Sequence, residues 1–133
     1  ELRKIATALP SERFVVQKLS SAPGRDVRVF VVGKEIAGAV LRISKSGFKA
    51  NFSLGGNCEP YKLSREEKGI VNRIIDRFDF GMVGIDFIFD DKGSFLFNEI
   101  EDVAGSRTLS MTSSIDIVKL YLDHIFKSFG ILT

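Results

Sequence analysis

The sequence predicts an α+β fold in which an antiparallel β-sheet carries helices packed on one face. Three observations lead to this prediction. Short β-rich runs follow one another through turns that are too short for the helical crossovers of a parallel sheet. Two later segments have the apolar spacing of amphipathic helices. Between these helices lies a hairpin of two β-rich runs joined by a turn around Gly93.

The first half of the chain predicts one helix followed by a meander of strands. Residues 1–9 carry apolar side chains at helical spacing, and Pro10 disfavours helical backbone at the residue before it. The strands expected next are residues 13–19, 27–32, 36–43 and 48–52. The second of these, VRVFVV, is apolar enough to be buried on both faces.

The second half predicts a capped helix, the hairpin and a last helix. Ser64 and Glu67 have the spacing of a capping box, so a helix should begin there. Its apolar stripe is Ile70, Val71, Ile74, Ile75 and Phe78. The hairpin strands are expected at residues 82–89 and 95–101. The last helix should end at Gly130 and bury a stripe made of Val118, Tyr121, Leu122, Ile125, Phe126 and Phe129.

Composition excludes several classes of protein. The chain has 133 residues, 44% of them hydrophobic, which suits one globular domain spanning residues 1–133. No apolar run approaches the ~20 residues of a membrane span. A net charge of +2 with scattered basic residues does not indicate nucleic-acid binding. Cys58 is the one cysteine, so we expect no internal disulfide and a reducing, cytoplasmic location.

The chain begins at Glu1 without a methionine and runs at once into a helix-like segment. This beginning is typical of a piece of a larger protein, although removal of a tag or leader would produce the same start.

The hairpin concentrates acidic residues between apolar neighbours. Alternation places Asp86, Ile88 and Asp90 on one side of the first strand. It places Phe95, Phe97, Glu99 and Glu101 on one side of the second. A four-residue loop, 91–94, would pair Asp90 with Phe95 and set Asp86 opposite Glu99, with Cβ atoms ~5 Å apart. Three carboxylates, Asp86, Glu99 and Glu101, then converge.

Converging carboxylates repel one another unless a cation compensates them. Oxygen ligands without His or Cys suit Mg²⁺ or Mn²⁺ rather than zinc. The alternative is a solvated acidic face of an ordinary hairpin, and a register slip of one residue would separate Asp86 from Glu99. The residue pattern leaves both interpretations open.

The order of these segments resembles the ATP-grasp superfamily, and within it the glutamate-ligase (RimK-type) branch that modifies ribosomal protein tails. The resemblance extends from Arg13 to Phe129 and is carried jointly by FVVQKL, GRDVRVFVVG, Arg42, FKANFSLGG, GIDF and FNEIEDVAG. It implies that residues 1–133 are a partial ATP-grasp domain, namely the C-terminal nucleotide- and metal-binding lobe without the N-terminal lobe.

The resemblance implies a nucleotide site. Its adenine hinge would be Gln17, Lys18 and Leu19, which act mainly through the main chain. Asp26 matches an acidic position of the nucleotide site. Lys49 and Asn51 lie in the phosphate-contacting segment, where Lys49 replaces the usual arginine and loses its bidentate fork.

The resemblance also implies metal ligands and catalytic groups. Asp86, Glu99 and Glu101 match the family's metal ligands, with Glu101 standing where the family normally has asparagine. Arg28 and Arg42 could face the phosphates or simply cap the edge of the sheet. Arg42 and Arg107 are the candidate catalytic arginines, and Arg107 would grip a substrate carboxylate or acyl phosphate. A surface pairing of Arg107 with Asp102 or Asp116 is the alternative.

The implied activity is that of a ligase that uses ATP to turn a carboxylate into an acyl phosphate, which an amine then attacks. ATP and Mg²⁺ or Mn²⁺, with two ions expected, would be required, and the partners would be a carboxylate and an amine substrate. We expect the 133 residues alone to lack ligase activity and to bind ATP weakly. Two alternatives are a non-catalytic nucleotide-binding or regulatory module and a plain α+β interaction domain.

Overall fold

The computed structural model describes residues 4, 7, 23–44, 56–102 and 104–131. Within these residues the elements are β1 (Arg25–Val32), β2 (Glu35–Ile43), β3 (Asn57–Pro60), α1 (Arg65–Ile75), β4 (Met82–Phe89), β5 (Phe95–Glu101), α2 (Arg107–Thr112) and α3 (Ile117–Ser128). The strands form one sheet in the order β3-β2-β1-β4-β5, and every neighbouring pair is antiparallel. The predicted α+β class and antiparallel sheet are confirmed.

The helices lie on both faces of the sheet, which corrects the expectation of a single covered face. Side chains alternate along the central strand β1. Val27, Val29 and Val31 pack on one side together with Val71 and Ile75 of α1. Phe30 and Val32 pack on the other side together with Leu109 of α2 and Ile117 of α3. A strand that is apolar on both faces must be covered on both. The sequence of β1 therefore explains why α2 and α3 pack on the face opposite α1.

Most predicted elements agree with the structure. Strands β4 and β5 have the predicted bounds, and β1 and β2 differ from theirs by one or two residues. Lys4 and Thr7, the described part of the first predicted helix, are helical. The runs expected at 13–19 and 48–52 lie outside the described residues, and the observed third strand is β3.

Helix α1 is closed at both ends by side chains. Ser64 Oγ accepts a 3.2 Å hydrogen bond from the Glu67 amide, and Glu67 Oε2 accepts a 2.7 Å bond from the Ser64 amide. This confirms the predicted capping box, which stabilises a helix by ~1 kcal/mol. At the other end, Lys34 Nζ donates to the carbonyls of Ile75 and Phe78. Since α1 ends at Ile75, Phe78 leaves the predicted stripe and is 51% exposed.

The Glu67 carboxylate of the capping box also binds Tyr61. Tyr61 Oη donates a 2.8 Å bond to Glu67 Oε1, and its ring stacks on Phe95. Burial, and then the bond and charge of Glu67, raise the pKa of Tyr61 to about 12. A phenol with a raised pKa in the folded state stabilises that state below the unfolded pKa of about 10, and this contribution is lost as the pH rises through about 12.

We therefore expect E67Q to lower the pKa of Tyr61, because the substitution removes the anion that favours the neutral phenol. The measurement is the ultraviolet absorbance of the phenolate during an alkaline titration. It is made in a Y121F background, because Tyr121 is the other of the two tyrosines. An unchanged titration curve would mean that burial alone produces the shift.

Helix α3 differs from its predicted apolar stripe. Ile117 is its buried residue, whereas four members of the predicted stripe are exposed: Val118, Leu122, Phe126 and Phe129. The helix packs on the sheet cluster through Ile117, which the predicted stripe lacked, and through Tyr121, which belongs to that stripe. His124 lies so close to Gly33 that a Cβ there would be 2.6 Å from its Cε1 atom, which supports a structural role for this histidine.

The end of α3 follows the prediction. Gly130 has a φ of 68°, the left-handed conformation that glycine adopts without strain. Its amide donates to the Lys127 carbonyl, and the Ile131 amide donates to the Phe126 carbonyl. These two bonds form a Schellman motif. No helix in the described part of the chain is long and apolar enough to cross a membrane.

Candidate functional site

The β4–β5 hairpin sets Asp86 opposite Glu99, as predicted, but through a different register. Phe89 pairs with Phe95, so the loop spans five residues, 90–94, rather than four. The register then shifts between Asp86 and Phe87, which leaves Asn98 as an extra residue in β5. The longer loop moves the strand pairing by one residue, and the bulge moves it back by one residue before Asp86 is reached. The predicted pairing is therefore confirmed, although the predicted loop is wrong.

The bulge also changes which side chains share a face. Phe95 and Phe97 both contact the ring of Phe87, on the α1 side of the sheet. Beyond the bulge, Glu101 pairs with Arg28 on the opposite side. The expectation that both phenylalanines and both glutamates share one face is therefore wrong. The physical reason is that one extra residue reverses the alternation of every side chain after it.

Four strands align charged residues in rows across the sheet. Arg28 of β1 lies directly opposite Asp86 of β4, which lies opposite Glu99 of β5. In the adjacent row, Asp26 of β1 lies opposite Arg42 of β2. Cross-strand neighbours are close enough for their side chains to bond. The order of the strands therefore brings together residues that are far apart in sequence, such as Arg28 and Asp86, which are 58 positions apart.

Asp86 is the centre of an ionic cluster. Arg28 donates to it through Nε and Nη2, with both bonds 2.7 Å long. Arg42 Nη2 donates a third bond of 2.6 Å. Arg42 also holds Asp26 through two 2.7 Å bonds, and Arg28 Nη1 forms an ion pair with Glu101 Oε2. We call these five residues, together with the neighbouring Glu99, the acid–arginine cluster.

The centre of the acid–arginine cluster is shielded from water. The Asp86 side chain is 2% exposed, and the side chains of Arg28 and Arg42 are 10% and 12% exposed. Gly84 makes room for Arg28, because a Cβ at this glycine would lie 3.1 Å from Arg28 Cδ. Charged groups this far from water need partners with good geometry, and bidentate guanidinium–carboxylate pairs provide it.

Burial and pairing act in opposite directions on the titrating groups of this cluster. Burial raises the pKa of Asp26, and the bonds and charge of Arg42 only partly offset the effect. For Arg42, burial lowers the pKa, but the carboxylates of Asp26 and Asp86 outweigh it and raise the pKa above its usual value. Arg42 is therefore a permanent cation, and its guanidinium is held in position by two carboxylates.

The glutamates at the edge of the cluster have coordination capacity left. Glu99 is exposed, and the Glu101 side chain is 42% exposed. Glu101 Oε2 is buried and, despite its ion pair with Arg28, has no hydrogen-bond partner of suitable geometry among the described residues. Within the same residues no three His, Cys, Asp or Glu side chains are arranged to hold one metal ion. The metal-ligand assignment of Asp86, Glu99 and Glu101 stays a prediction.

Sequence reasoning considered Arg28 for a phosphate contact or a place at the edge of the sheet, but it did not predict the pairing of Arg28 with Asp86. The available signal was its position two residues after Asp26, which puts both side chains on one face of β1. Its bond to Asp86 joins β1 to β4, strands separated in sequence by β2, β3 and α1. No local pattern reveals that pairing.

The other predicted site residues are not part of this cluster. Arg107 is exposed at the start of α2, and in the described part of the chain it forms an ion pair with neither Asp102 nor Asp116. Its catalytic assignment stays a prediction. Five predicted nucleotide-site residues lie outside the described residues: Gln17, Lys18, Leu19, Lys49 and Asn51.

Several known proteins of similar sequence are named as ligases. A probable α-L-glutamate ligase of Pasteurella multocida is 31% identical over 115 residues, which are 86% of this chain and 36% of that protein. An α-aminoadipate–LysW ligase, LysX, of Saccharolobus solfataricus is 23% identical over 123 residues, 92% of this chain and 45% of that protein. The chain thus spans between about a third and a half of the length of these relatives.

Solved structures of ATP-grasp ligases share the fold. The ligase PsnB in complex with a precursor variant, Mg and ADP has a TM-score of 0.64 at 22% identity, covering 84% of this chain and 34% of that one. A ligase of Chryseobacterium gregarium, associated with ribosomally made peptides and bound to ADP and peptide, has a TM-score of 0.61 at 20% identity, covering 80% and 34%. A family profile described as "RimK-like ATP-grasp domain" matches residues 1–125. The chain belongs to the RimK-like ATP-grasp domain family.

Proposed function

We propose that residues 1–133 are the C-terminal nucleotide- and metal-binding lobe of an ATP-dependent carboxylate–amine ligase. The observation that carries the proposal is the alignment of Asp86 with Glu99 beside Glu101, on a sheet face where the buried Arg28 and the half-buried Arg42 also lie. Membership of the family supports it. The N-terminal lobe would be supplied by sequence outside this chain.

The donor atoms of the acid–arginine cluster are of the kind that a hard divalent cation binds, and we propose that these side chains rearrange to hold it. The anionic members of the cluster offer oxygen atoms only, which Mg²⁺ and Mn²⁺ prefer. Glu101 Oε2 is buried against the guanidinium of Arg28, so this oxygen already lies where a cation is held. Asp86, Glu99 and Glu101 would hold the ions, of which we propose two. A bound ion would supply positive charge to the phosphates of ATP and to the phosphoryl group in transfer.

The remaining assignments concern the nucleotide. We infer that Gln17, Lys18 and Leu19 form the adenine hinge and that Lys49 and Asn51 contact the phosphates. Asp26 would act through Arg42, because both of its carboxylate oxygens are bonded to that guanidinium.

Two arginines would have catalytic roles. Arg42 would offset phosphate charge from a position fixed by Asp26 and Asp86, which means that no reorganisation is needed during the reaction. Arg107, which is exposed and without an ion pair among the described residues, is free to grip a substrate carboxylate or the acyl phosphate.

The substrates would be ATP, a carboxylate and an amine, joined through an acyl phosphate. The names of the relatives, a glutamate ligase and an α-aminoadipate–LysW ligase, support an amino acid as one of the two groups joined. The free Cys58 is consistent with a cytoplasmic protein. We infer that these 133 residues have no ligase activity alone, because the proposed nucleotide site needs two lobes.

The metal proposal can be tested by Mn²⁺ titration followed by NMR. We expect paramagnetic line broadening to begin at the amides of residues 84–86 and 99–101, since these strands carry the proposed ligands. The E99Q variant should weaken the effect. The matched control is E59Q, which removes the same charge from an exposed position of β3. Broadening spread evenly over the surface, or none, would instead favour a plain interaction domain with an acidic face.

A non-catalytic nucleotide-binding or regulatory module is the second candidate. The observation that favours it is Arg28, which bonds two of the proposed metal ligands, Asp86 and Glu101. Carboxylates paired in this way are compensated without a metal. A ligase and a regulatory module differ in the effect of Glu99 substitutions on turnover.

A further inference from the structure

Arg28 lies where a cation would be expected among the proposed metal ligands. Its Nε and Nη2 atoms donate to the two oxygens of Asp86, and its Nη1 atom forms an ion pair with Glu101 Oε2. A guanidinium group and a divalent ion both need carboxylate oxygens, and one set of lone pairs serves both only in part. Arg28 and a divalent ion would therefore compete for the same carboxylate oxygens.

The position of Arg28 is determined by the sheet. Arg28 and Asp86 are directly opposite one another on β1 and β4, so the pairing needs no loop movement. Gly84, two residues before Asp86, leaves the space through which the Arg28 side chain passes. With a side chain 10% exposed, Arg28 has little access to water as an alternative partner. This favours occupation of the carboxylates by Arg28 whenever no other cation is bound.

The charges in the acid–arginine cluster do not balance. Four carboxylates, Asp26, Asp86, Glu99 and Glu101, face two guanidinium groups, Arg28 and Arg42. Two negative charges remain when all six groups are ionised. The cluster thus attracts a further cation even with both arginines in place, but that cation meets the repulsion of Arg28 at a short distance.

We propose that Arg28 is a built-in counter-ion that holds Asp86 and Glu101 in the metal-free protein and that a divalent cation binds these carboxylates in competition with it. The proposal rests on the proposed function, since it concerns the same metal ligands. Arg28 is a positioning residue in this scheme. It sets the metal affinity of the protein when no nucleotide is bound, and it keeps the ligands in place until an ion arrives.

The test is direct Mn²⁺ binding to the full-length protein without nucleotide, measured by calorimetry or by the electron paramagnetic resonance signal of free Mn²⁺. We expect R28Q to bind Mn²⁺ on the order of tenfold more tightly than the unsubstituted protein, because the substitution removes a positive charge beside the ion. R25Q is the matched control. It removes the same charge from the same strand, where Arg25 lies over the ring of Phe89 on the α1 side. We expect its Mn²⁺ affinity to change less than twofold.

A thermal unfolding series separates this role from a purely structural one. R28Q should melt at a lower temperature than the unsubstituted protein without metal, and saturating Mn²⁺ should reduce the difference. A merely structural arginine would leave the difference the same at every Mn²⁺ concentration. If R28Q does not fold, R28K is used, which keeps a cation but loses the bidentate grip and should show a smaller gain in affinity.

The possible outcomes are distinguishable. Unchanged or weaker Mn²⁺ binding by R28Q, or by R28K in its place, would overturn the counter-ion role while leaving the metal site intact. Absence of Mn²⁺ binding in both the unsubstituted and the substituted protein would overturn the metal site itself, and the counter-ion role with it. Tighter binding by R25Q to the same extent as by R28Q would also overturn the proposal, because the effect would then be one of net charge.

Discussion

Replacing Asp86 by asparagine is expected to lower the free energy of unfolding of the chain by about 3 kcal/mol. Asp86 accepts three hydrogen bonds from Arg28 and Arg42, and its side chain is 2% exposed. The amide removes the negative charge, so both guanidinium groups lose their shared anion in a place with little water. Arg28 keeps Glu101 as a partner, and Arg42 keeps Asp26. We therefore expect a loss of unfolding free energy at the lower end of the range for a broken buried ion pair.

Urea unfolding followed by circular dichroism measures the effect. E99Q is the matched control, because Glu99 is exposed and pairs with Asp86 only through the backbone register. We expect E99Q to change the free energy of unfolding by no more than about 0.5 kcal/mol. A loss below about 1 kcal/mol for D86N would mean that the two arginines re-pair with the remaining carboxylates, and the central position assigned to Asp86 would be wrong.

Replacing Glu99 by glutamine is expected to reduce turnover by the full-length protein at least ~100-fold. Glu99 forms no ion pair in the part of the chain that the structure describes, so its carboxylate is available to a metal ion and its loss does not disturb the fold. The amide keeps one oxygen but loses the charge that a divalent cation requires. Weaker metal binding then leaves the phosphates of ATP less well compensated.

Turnover can be measured as ADP formation in the presence of the acid and amine substrates. E59Q again serves as the control, and excess Mg²⁺ should restore part of the activity of E99Q if the defect lies in metal affinity. Turnover unaffected by E99Q would exclude the ligase assignment of this site. Nucleotide or partner binding without any turnover in the unsubstituted full-length protein would instead favour the non-catalytic module.

Asp86 and Glu99 lie on paired strands, but we expect the substitution of Asp86 to affect stability and that of Glu99 to affect turnover. Asp86 is buried between arginines, whereas Glu99, its cross-strand partner, is exposed. A buried ionic cluster is weak evidence for stability, since apolar side chains of similar volume often stabilise a protein as well or better. Four carboxylates gathered around two arginines therefore favour a role in binding a charged ligand.

Much of the fold follows from local patterns in the sequence. The alternation in residues 82–89 and 95–101 predicted both hairpin strands with the observed bounds. The Ser64–Glu67 spacing predicted the cap of α1, and Gly130 predicted the end of α3. These features depend on neighbours within a few residues, so the information needed to predict them is local.

The candidate site could be predicted only in part. The types of residue, Asp and Glu without His or Cys, indicated a hard cation, and one hairpin register set Asp86 against Glu99. Resemblance to a family supplied the positions of the nucleotide contacts. The bulge at Asn98 could not be predicted, because an extra residue in a strand leaves no distinct pattern in a single sequence. The predicted loop was therefore wrong even though the predicted pair was right.

The sequence by itself determined most of the elements, the caps and the set of acidic residues, because these follow from spacing along the chain, but it did not reveal β3 and α2. Tertiary structure alone decided the order of the strands, which places β1 between β2 and β4. That order brings Arg28 and Arg42 to Asp86 across 58 and 44 positions of sequence. The physical reason is that buried charged groups pair with the oppositely charged groups nearest to them in space. Which groups are nearest depends on which strands are neighbours, and the packing of both faces of β1 places this strand at the centre of the sheet.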